Sequence, residues 1–237
     1  MLPVIILCGG LGTRLHQVVS DRPKALAPVN DEPFLGHLLY HLARQGYRDV
    51  VLSTGHLSEM VEHFAGDGSR WGVSVRYARE PEPLGTGGAV RYAIDATGVD
   101  TACLVVNGDT FFSGSLALLE QFHRSAGKAA GTLALVETPL SERYGTVQID
   151  TTGVITEFLE KQSDAAGPAL TNAGTYILEP DLVQTIPAAR NVSLERDVFA
   201  RWVGWGLYGL VFGGADFIDI GTPEDYDRAA ELLDTIR

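Results

Sequence analysis

Residues 1–24 read MLPVIILCGGLGTRLHQVVSDRPK, and the parsing of this stretch decides the fold. Pro3 to Cys8 is a nearly continuous apolar run, the pattern of a parallel strand buried on both faces. It breaks into Gly9-Gly10-Leu11-Gly12-Thr13-Arg14, too rich in glycine to pack a core. Glycines let the backbone turn sharply and bring its N–H groups close to an anion. Arg14 adds a planar cationic fork suited to phosphate oxygens. Farther on, Arg22-Pro23-Lys24 supplies another cation, its approach stiffened by proline. A strand, a glycine loop and two placed cations predict a site for a nucleoside triphosphate.

Two familiar loops are excluded. A dinucleotide fingerprint needs a third glycine where Leu15 stands, and an acid at the end of a second strand. That strand, Asp49 to Thr54, ends in Ser53-Thr54 instead. A P-loop needs Gly-Lys-Ser/Thr, which does not follow. A tight turn without a ligand is the remaining alternative, and Arg14 and Lys24 weigh against it.

The chain has 237 residues, 45% of them hydrophobic and 20% charged, the balance of a globular protein with an ample core. The net charge of −12 argues against nucleic acid and against anionic membrane surfaces. It also opposes a triphosphate, so local cations and a divalent metal have to override the global field. Cys8 and Cys103 lie in apolar strand patterns and read as small buried thiols, and two cysteines make no disulfide scaffold. A cytosolic protein is expected. The glycine loop arrives too early to leave room for a signal peptide, and no apolar run approaches the length of a membrane span.

Farther along, Pro33 to Gly46 reads as a helix with Leu35, Leu38, Leu39 and Leu42 on one face. His37 and His41 have a possible metal spacing there, but no third ligand accompanies them. Asp49 to Thr54 and Val73 to Ala78 are strands around a short helix, Ser58 to Ala65. This rhythm predicts an α/β fold, a parallel sheet with helices on both faces. Glu80 to Ala89 (EPEPLGTGGA) is a loop entering a helix, placed where open α/β sheets receive ligands. Ala102 to Val106 is another buried strand, ending in Asn107-Gly108-Asp109. A carboxylate there suits magnesium shared with phosphates, or else a turn cap. Ser115 caps a helix reaching about Ala126. From Gly131 the rhythm changes to strands: Gly131–Glu137, Gly145–Ile149 and Ile155–Glu160. Thr171-Asn172-Ala173-Gly174 reads as a bulge in the strand carrying Tyr176 and Ile177. Ser193 caps another helix, whose charges read as structural. Trp202 and Trp205 read as core. Tyr208–Phe212 and Phe217–Ile220 are the last strands, and Pro223 opens the final helix.

GGLGTRL followed by DRPKALAPV resembles the N-terminal signature of the sugar-1-phosphate nucleotidyltransferases, and the likeness runs to the last strand. It is carried further by PLGTGGA, by NGD at Asp109 and by YGTV at Tyr144. FLEK at Glu160-Lys161, NAG at Asn172 and DIGTP at Asp219 complete it. Gln162 departs from the proline that usually follows the lysine.

The resemblance implies a nucleotide-diphospho-sugar transferase fold. This is a single Rossmann-like domain over 1–237, its mixed sheet mainly parallel, with a small strand-rich acceptor portion. Residues 1–127 would mainly bind nucleotide and 128–237 mainly the sugar phosphate. It implies catalytic roles for Arg14, Lys24 and Lys161. Leu7, Gly9, Gly10, Gly12, Thr13, Glu80, Gly85, Thr86, Gly87, Asn107 and Gly108 would border the nucleotide, with Glu82 an alternative to Glu80 at the base. Tyr144, Gly145, Glu160, Asn172 and Gly174 would border the sugar phosphate, while Asp109 and Asp219 hold Mg²⁺.

Within the family the pattern is similar to guanylyltransferases that use GTP and D-glycero-α-D-manno-heptose 1-phosphate to supply GDP-heptose for capsule or surface-layer polysaccharides. Mannose 1-phosphate with GTP, N-acetylmuramate 1-phosphate with UTP, and a non-catalytic nucleotide-binding subunit are the alternatives. The expected partners are these small molecules, with no nucleic acid or membrane, and the expected assembly is a monomer or homodimer. The chain ends where longer relatives add a β-helix domain.

Overall fold

A computed structural model describes residues 1–10, 21–138, 146–159 and 169–236. Gly12, Thr13, Arg14, Tyr144, Gly145, Glu160 and Lys161 lie outside the described residues.

In chain order, β1 is Val4–Leu7, β2 Pro28–Val29 and β3 Glu32–Pro33, followed by α1 (Phe34–Arg44). Next come β4 (Asp49–Thr54), α2 (Ser58–Ala65), β5 (Ser74–Arg79) and α3 (Gly85–Thr97). Then come β6 (Cys103–Asn107), β7 (Thr110–Phe112) and α4 (Leu116–Ser125). The strand-rich part holds β8 (Gly131–Thr138), β9 (Thr146–Ile149), β10 (Ile155–Leu159) and β11 (Ala169–Leu178). Helix α5 (Pro180–Gln184), a π-helical turn (Leu194–Phe199) and α6 (Ala200–Trp202) follow. Strands β12 (Leu207–Val211) and β13 (Phe217–Asp219) precede α7 (Pro223–Ile236).

The first half builds the parallel core that the sequence rhythm predicts. Strand β1 lies between β4 and β6, and β4 pairs with β5, all in parallel. Alternation along β1 sends Val4 and Ile6 to one face and Ile5 to the other, and none of the three is exposed. Both faces are therefore covered, which is why these strands read as unbroken apolar runs. Helices α1, α4 and α7 pack on the first face, and α3 on the second with the π-helical turn.

The second half continues the same sheet. Strand β11 pairs antiparallel with β6 on one edge and with β8 on the other. Its early residues also reach β9 at Thr171. A register shift between Asn172 and Tyr176 lets one strand serve these neighbours, and Gly174 supplies the left-handed residue there (φ 66°). Strands β7 and β13 form a separate antiparallel ribbon, with Asp219 opposite Thr110.

Some expectations shift. Pro33 pairs with Pro28 in the β2–β3 ribbon, so α1 begins one residue later, and Gly46 (φ 91°) follows its C-cap. The segment capped by Ser193 is a π-helical turn running into only three α-helical residues. Trp205 is 78% exposed rather than core, because Gly204 and Gly206, both at positive φ, turn it away from the body. Among the described residues no helix is long and apolar enough to cross a membrane.

Candidate active site

The site lies beyond the carboxyl ends of β1 and β6, the crevice where open α/β sheets receive ligands. Gly108 donates its N–H to the Leu7 carbonyl at 3.0 Å, and a Cβ at Gly108 would stand 2.5 Å from that oxygen. Only glycine lets the two strand ends approach so closely, and the approach brings Asp109 beside the start of the glycine loop.

Lys24 arrives from a different part of the chain. Pro23 leads into a 3₁₀ turn over Lys24–Leu26, and burial of Ala25 and Leu26 anchors it. Its Nζ donates to Asp109 Oδ2 at 2.7 Å and to Asp219 Oδ1 at 3.0 Å. Asp219 ends β13, and the next residue, Ile220, donates its N–H to the Asp109 carbonyl at 3.0 Å. Two acids far apart in the chain are thus tied by backbone and share one ammonium.

The charges perturb one another. Burial works to lower the Lys24 pKa, but the two carboxylates outweigh it and hold the ammonium above its ordinary value. Asp219 is raised by burial and then by the Asp109 charge, with Lys24 pulling the other way. The cluster holds two negative charges against one positive, in partial shelter from water. That donor set fits a divalent cation: two hard carboxylate oxygens, already arranged around a positive charge, with room in the shell for phosphate oxygens. Among the described residues no third His, Cys, Asp or Glu completes a closed metal cage.

Glu80 follows β5 and folds under the glycine loop, where a Cβ at Gly9 would meet its Oε1 at 2.5 Å. Ser53 Oγ donates to Glu80 Oε1 at 3.2 Å, and the Leu84 N–H to Oε2 at 3.1 Å. Burial raises its pKa. Glu82 is exposed, so Glu80 is the acid beside the loop. Gly10 has open space around it.

Gly85, Thr86 and Gly87 open α3 against the 190–195 segment. The Gly87 N–H donates to the Val192 carbonyl at 2.8 Å, and Thr86 Oγ1 donates to Glu195 Oε2 at 3.1 Å. These two groups are engaged within the protein. In β11, Asn172 Oδ1 accepts the Gly174 N–H at 2.9 Å, closing the bulge. Gly174 packs against Asn107 and Thr110, so the bulge sits directly beside the strand end that bears Asp109. Asn107 Oδ1 is buried without a hydrogen-bond partner among the described residues.

The histidine pair of α1 is elsewhere. His37 Nε2 bonds the Val29 carbonyl, His41 Nε2 bonds Gln45, and among the described residues the pair gathers no third ligand. Sequence reasoning missed Glu195, treated as an ordinary structural charge. No local motif marks it, because its partners Thr86 and Tyr176 come from other elements.

Comparison with known proteins places the chain. Residues 3–235 match the family model described as Nucleotidyl transferase. A D-glycero-alpha-D-manno-heptose 1-phosphate guanylyltransferase from Aneurinibacillus thermoaerophilus is 39% identical over 98% of either chain. A mannose-1-phosphate guanylyltransferase from Mycobacterium tuberculosis is 38% identical over 97% of this chain and 64% of its own length. The crystal structure of HddC from Yersinia pseudotuberculosis complexed with GMP-PN superposes with a TM-score of 0.83 at 32% identity, covering 98% of this chain and all of that one.

Proposed function

The chain belongs to the nucleotidyl transferase family, and from that premise we propose that it transfers GMP from GTP to D-glycero-α-D-manno-heptose 1-phosphate, giving GDP-heptose and pyrophosphate. The observation that carries the reading is the Lys24 ammonium held between Asp109 and Asp219 beyond the strand ends. The guanylyltransferase likeness over nearly the full chain supports the base and the sugar.

A sugar 1-phosphate brings its own nucleophile, since its second ionisation lies near pH 6 and the oxygen is already charged at neutral pH. No general base is required. The Cys8 thiol, though close to the loop, is buried and its pKa is pushed far up, so it is no competing nucleophile. The remaining difficulty is to bring two polyanions together in line. The glycine loop from Gly9, with Gly12, Thr13 and Arg14, would hold the triphosphate and the leaving pyrophosphate. Lys24 would meet the α-phosphate as charge builds there, while Lys161 and Glu160 would orient the incoming sugar phosphate. Glu80 would receive the base amine beside Gly9. Tyr144, Gly145, Asn172 and Gly174 would line the sugar. Asp109 and Asp219 would hold Mg²⁺, which when bound neutralises phosphate charge. The protein would act in the cytosol as a monomer or homodimer.

Mannose 1-phosphate is the second acceptor to weigh, on the strength of the mycobacterial relative. Pyrophosphate release should be measured with Mg²⁺ for each common nucleoside triphosphate against heptose, mannose, glucose and N-acetylated sugar 1-phosphates. The expected result is turnover with GTP and the heptose, abolished in Asp109→Ala. Preference for mannose would replace the sugar, and preference for another base would overturn the guanylyl assignment. Silence with nucleotide still bound would make the chain a binding subunit.

A further inference from the structure

The π-helical turn Leu194–Phe199 stands where three site-bearing elements meet. Its Leu194 N–H donates to Thr86 Oγ1 at 2.8 Å, at the start of α3. Phe199 stacks on Phe158 of β10, the strand leading to Glu160 and Lys161, with centroids 5.9 Å apart. Phe199 also meets Tyr176 of β11 edge-on at 5.1 Å. A π-helical turn is a costly local geometry that is frequently kept at functional sites.

Glu195 joins these elements through its side chain. Oε2 accepts from Thr86 Oγ1 at 3.1 Å and from Ser193 Oγ at 2.9 Å. Oε1 accepts from the Tyr176 hydroxyl at 3.2 Å. That hydroxyl in turn accepts from Asn172 Nδ2 at 2.8 Å, and Asn172 Oδ1 closes the bulge at the Gly174 N–H. Tyr176 is fully buried, so its hydroxyl has no water to replace a lost partner. The backbone reinforces the same junction. Val192 donates to the Leu84 carbonyl at 2.8 Å, and a Cβ on Gly85 would meet the Val192 carbonyl at 2.6 Å. An unbroken chain of hydrogen bonds therefore runs from the nucleotide loop through one carboxylate to the acceptor bulge.

We propose that Glu195 is a positioning residue that locks the nucleotide loop, through Thr86, to the acceptor strand, through Tyr176 and Asn172, and so sets the shape of the sugar-phosphate pocket. The inference rests on the reading of Asn172 and Gly174 as acceptor residues given above. Among the described residues Glu195 bonds Thr86, Ser193 and Tyr176 and neither Asp109 nor Asp219. Its removal frees Tyr176 and Asn172 to rotate and loosens the bulge, while the glycine loop and the Lys24 cluster stay as they are. The defect belongs to the acceptor.

Glu195→Ala, Glu195→Gln, Tyr176→Phe and the double variant Glu195→Ala/Tyr176→Phe would be compared with the wild type in steady-state turnover, GTP binding by calorimetry and thermal melting. Loss of a charge-assisted buried hydrogen bond should raise the acceptor KM of Glu195→Ala about tenfold to a hundredfold. The GTP Kd should rise clearly less than the acceptor KM, because Thr86 loses one hydrogen-bond partner but keeps the Leu194 N–H. Glu195→Gln keeps an oxygen for Tyr176 but turns an amide donor toward the Thr86 and Ser193 hydroxyls that donate to the carboxylate, and should recover only part of the loss. Tyr176→Phe should raise the acceptor KM in the same way, and the double variant should go little further than either single change. Tyr176→Phe leaves the ring packed, so it carries the test if Glu195→Ala does not fold. An unchanged acceptor KM, an equal loss in GTP binding, or additive effects in the double variant would overturn the proposal. A wild type silent with every acceptor would overturn the functional reading and this inference with it. A working wild type and an unaffected Glu195→Ala would overturn this inference alone.

Discussion

Replacing Lys24 by methionine keeps the apolar stem and removes the ammonium from between two carboxylates. The Lys24 side chain is 14% exposed, against 36% for Asp109 and 33% for Asp219. Breaking a fully buried pair costs about 3–5 kcal/mol. Here the acids are one-third in water, and screening reduces the loss to about 1–2 kcal/mol. For a domain of this size that is a fall of roughly 2–8 °C in melting temperature. The loss should be largest without metal, where Asp109 and Asp219 face each other with no cation between them. Added Mg²⁺ should restore most of it and should raise the melting temperature of the wild type by less. Turnover should nevertheless stay about 10²–10³ below wild type, because the group proposed to meet the attacked phosphate is gone. Melting curves in EDTA and across a Mg²⁺ series, with pyrophosphate release in parallel, make the comparison. A variant that melts like the wild type in EDTA, or ignores Mg²⁺, would show that the Lys24 ammonium does not hold the two carboxylates together.

Other substitutions probe the frame around the site. Gly85→Ala puts a Cβ 2.6 Å from the Val192 carbonyl at φ 68° and should cost about 1–3 kcal/mol, with reduced turnover. Gly98→Ala, at φ 69° with nothing within 4 Å, should cost only about 1 kcal/mol and leave turnover intact; equal effects in urea melts would contradict this. Tyr47→Phe removes the hydroxyl that donates to the buried Glu120 Oε1 at 2.5 Å, leaving the carboxylate to Arg124 at its other oxygen, and should lose about 1–3 kcal/mol by the same melts. Burial, assisted by Arg44 and opposed by a backbone bond at Phe112, lowers His41 from 6.5 to about 4. The folded state therefore resists a proton that the unfolded chain accepts. This contribution is full above about pH 6.5 and falls by up to about 3 kcal/mol on the way to pH 4. His41→Gln should flatten that part of the acid limb, and parallel stability curves would exclude the assignment.

The parallel core was legible because its strands are buried on both faces, which leaves continuous apolar runs such as 3–8 and 102–106 in the sequence. The Ser115 and Ser193 caps were legible for a local reason, a hydroxyl accepting an N–H three residues on. Asp109 stood out because an acid at the end of an apolar strand is poorly placed for a core, whereas Asp219 was reached through the DIGTP resemblance. What escaped has non-local causes. Strands β2, β3 and β7 are too short to show a period, and the pairing of β13 with β7 joins segments far apart in the chain. Trp205 sits in an apolar stretch, and its outward turn depends on the conformations of two flanking glycines. The role of Glu195 comes from partners on α3 and β11 that nothing near it in the sequence announces.

In the proposed mechanism the sugar phosphate attacks the α-phosphorus directly, with charge and alignment supplied by the protein and no protein nucleophile. The most direct test is the stereochemical course with GTP carrying a chiral thio-substituted α-phosphate, the acceptor being whichever sugar 1-phosphate turns over. A single in-line displacement predicts inversion at phosphorus. Retention of configuration, or a protein trapped with a covalently attached nucleotide, would contradict it.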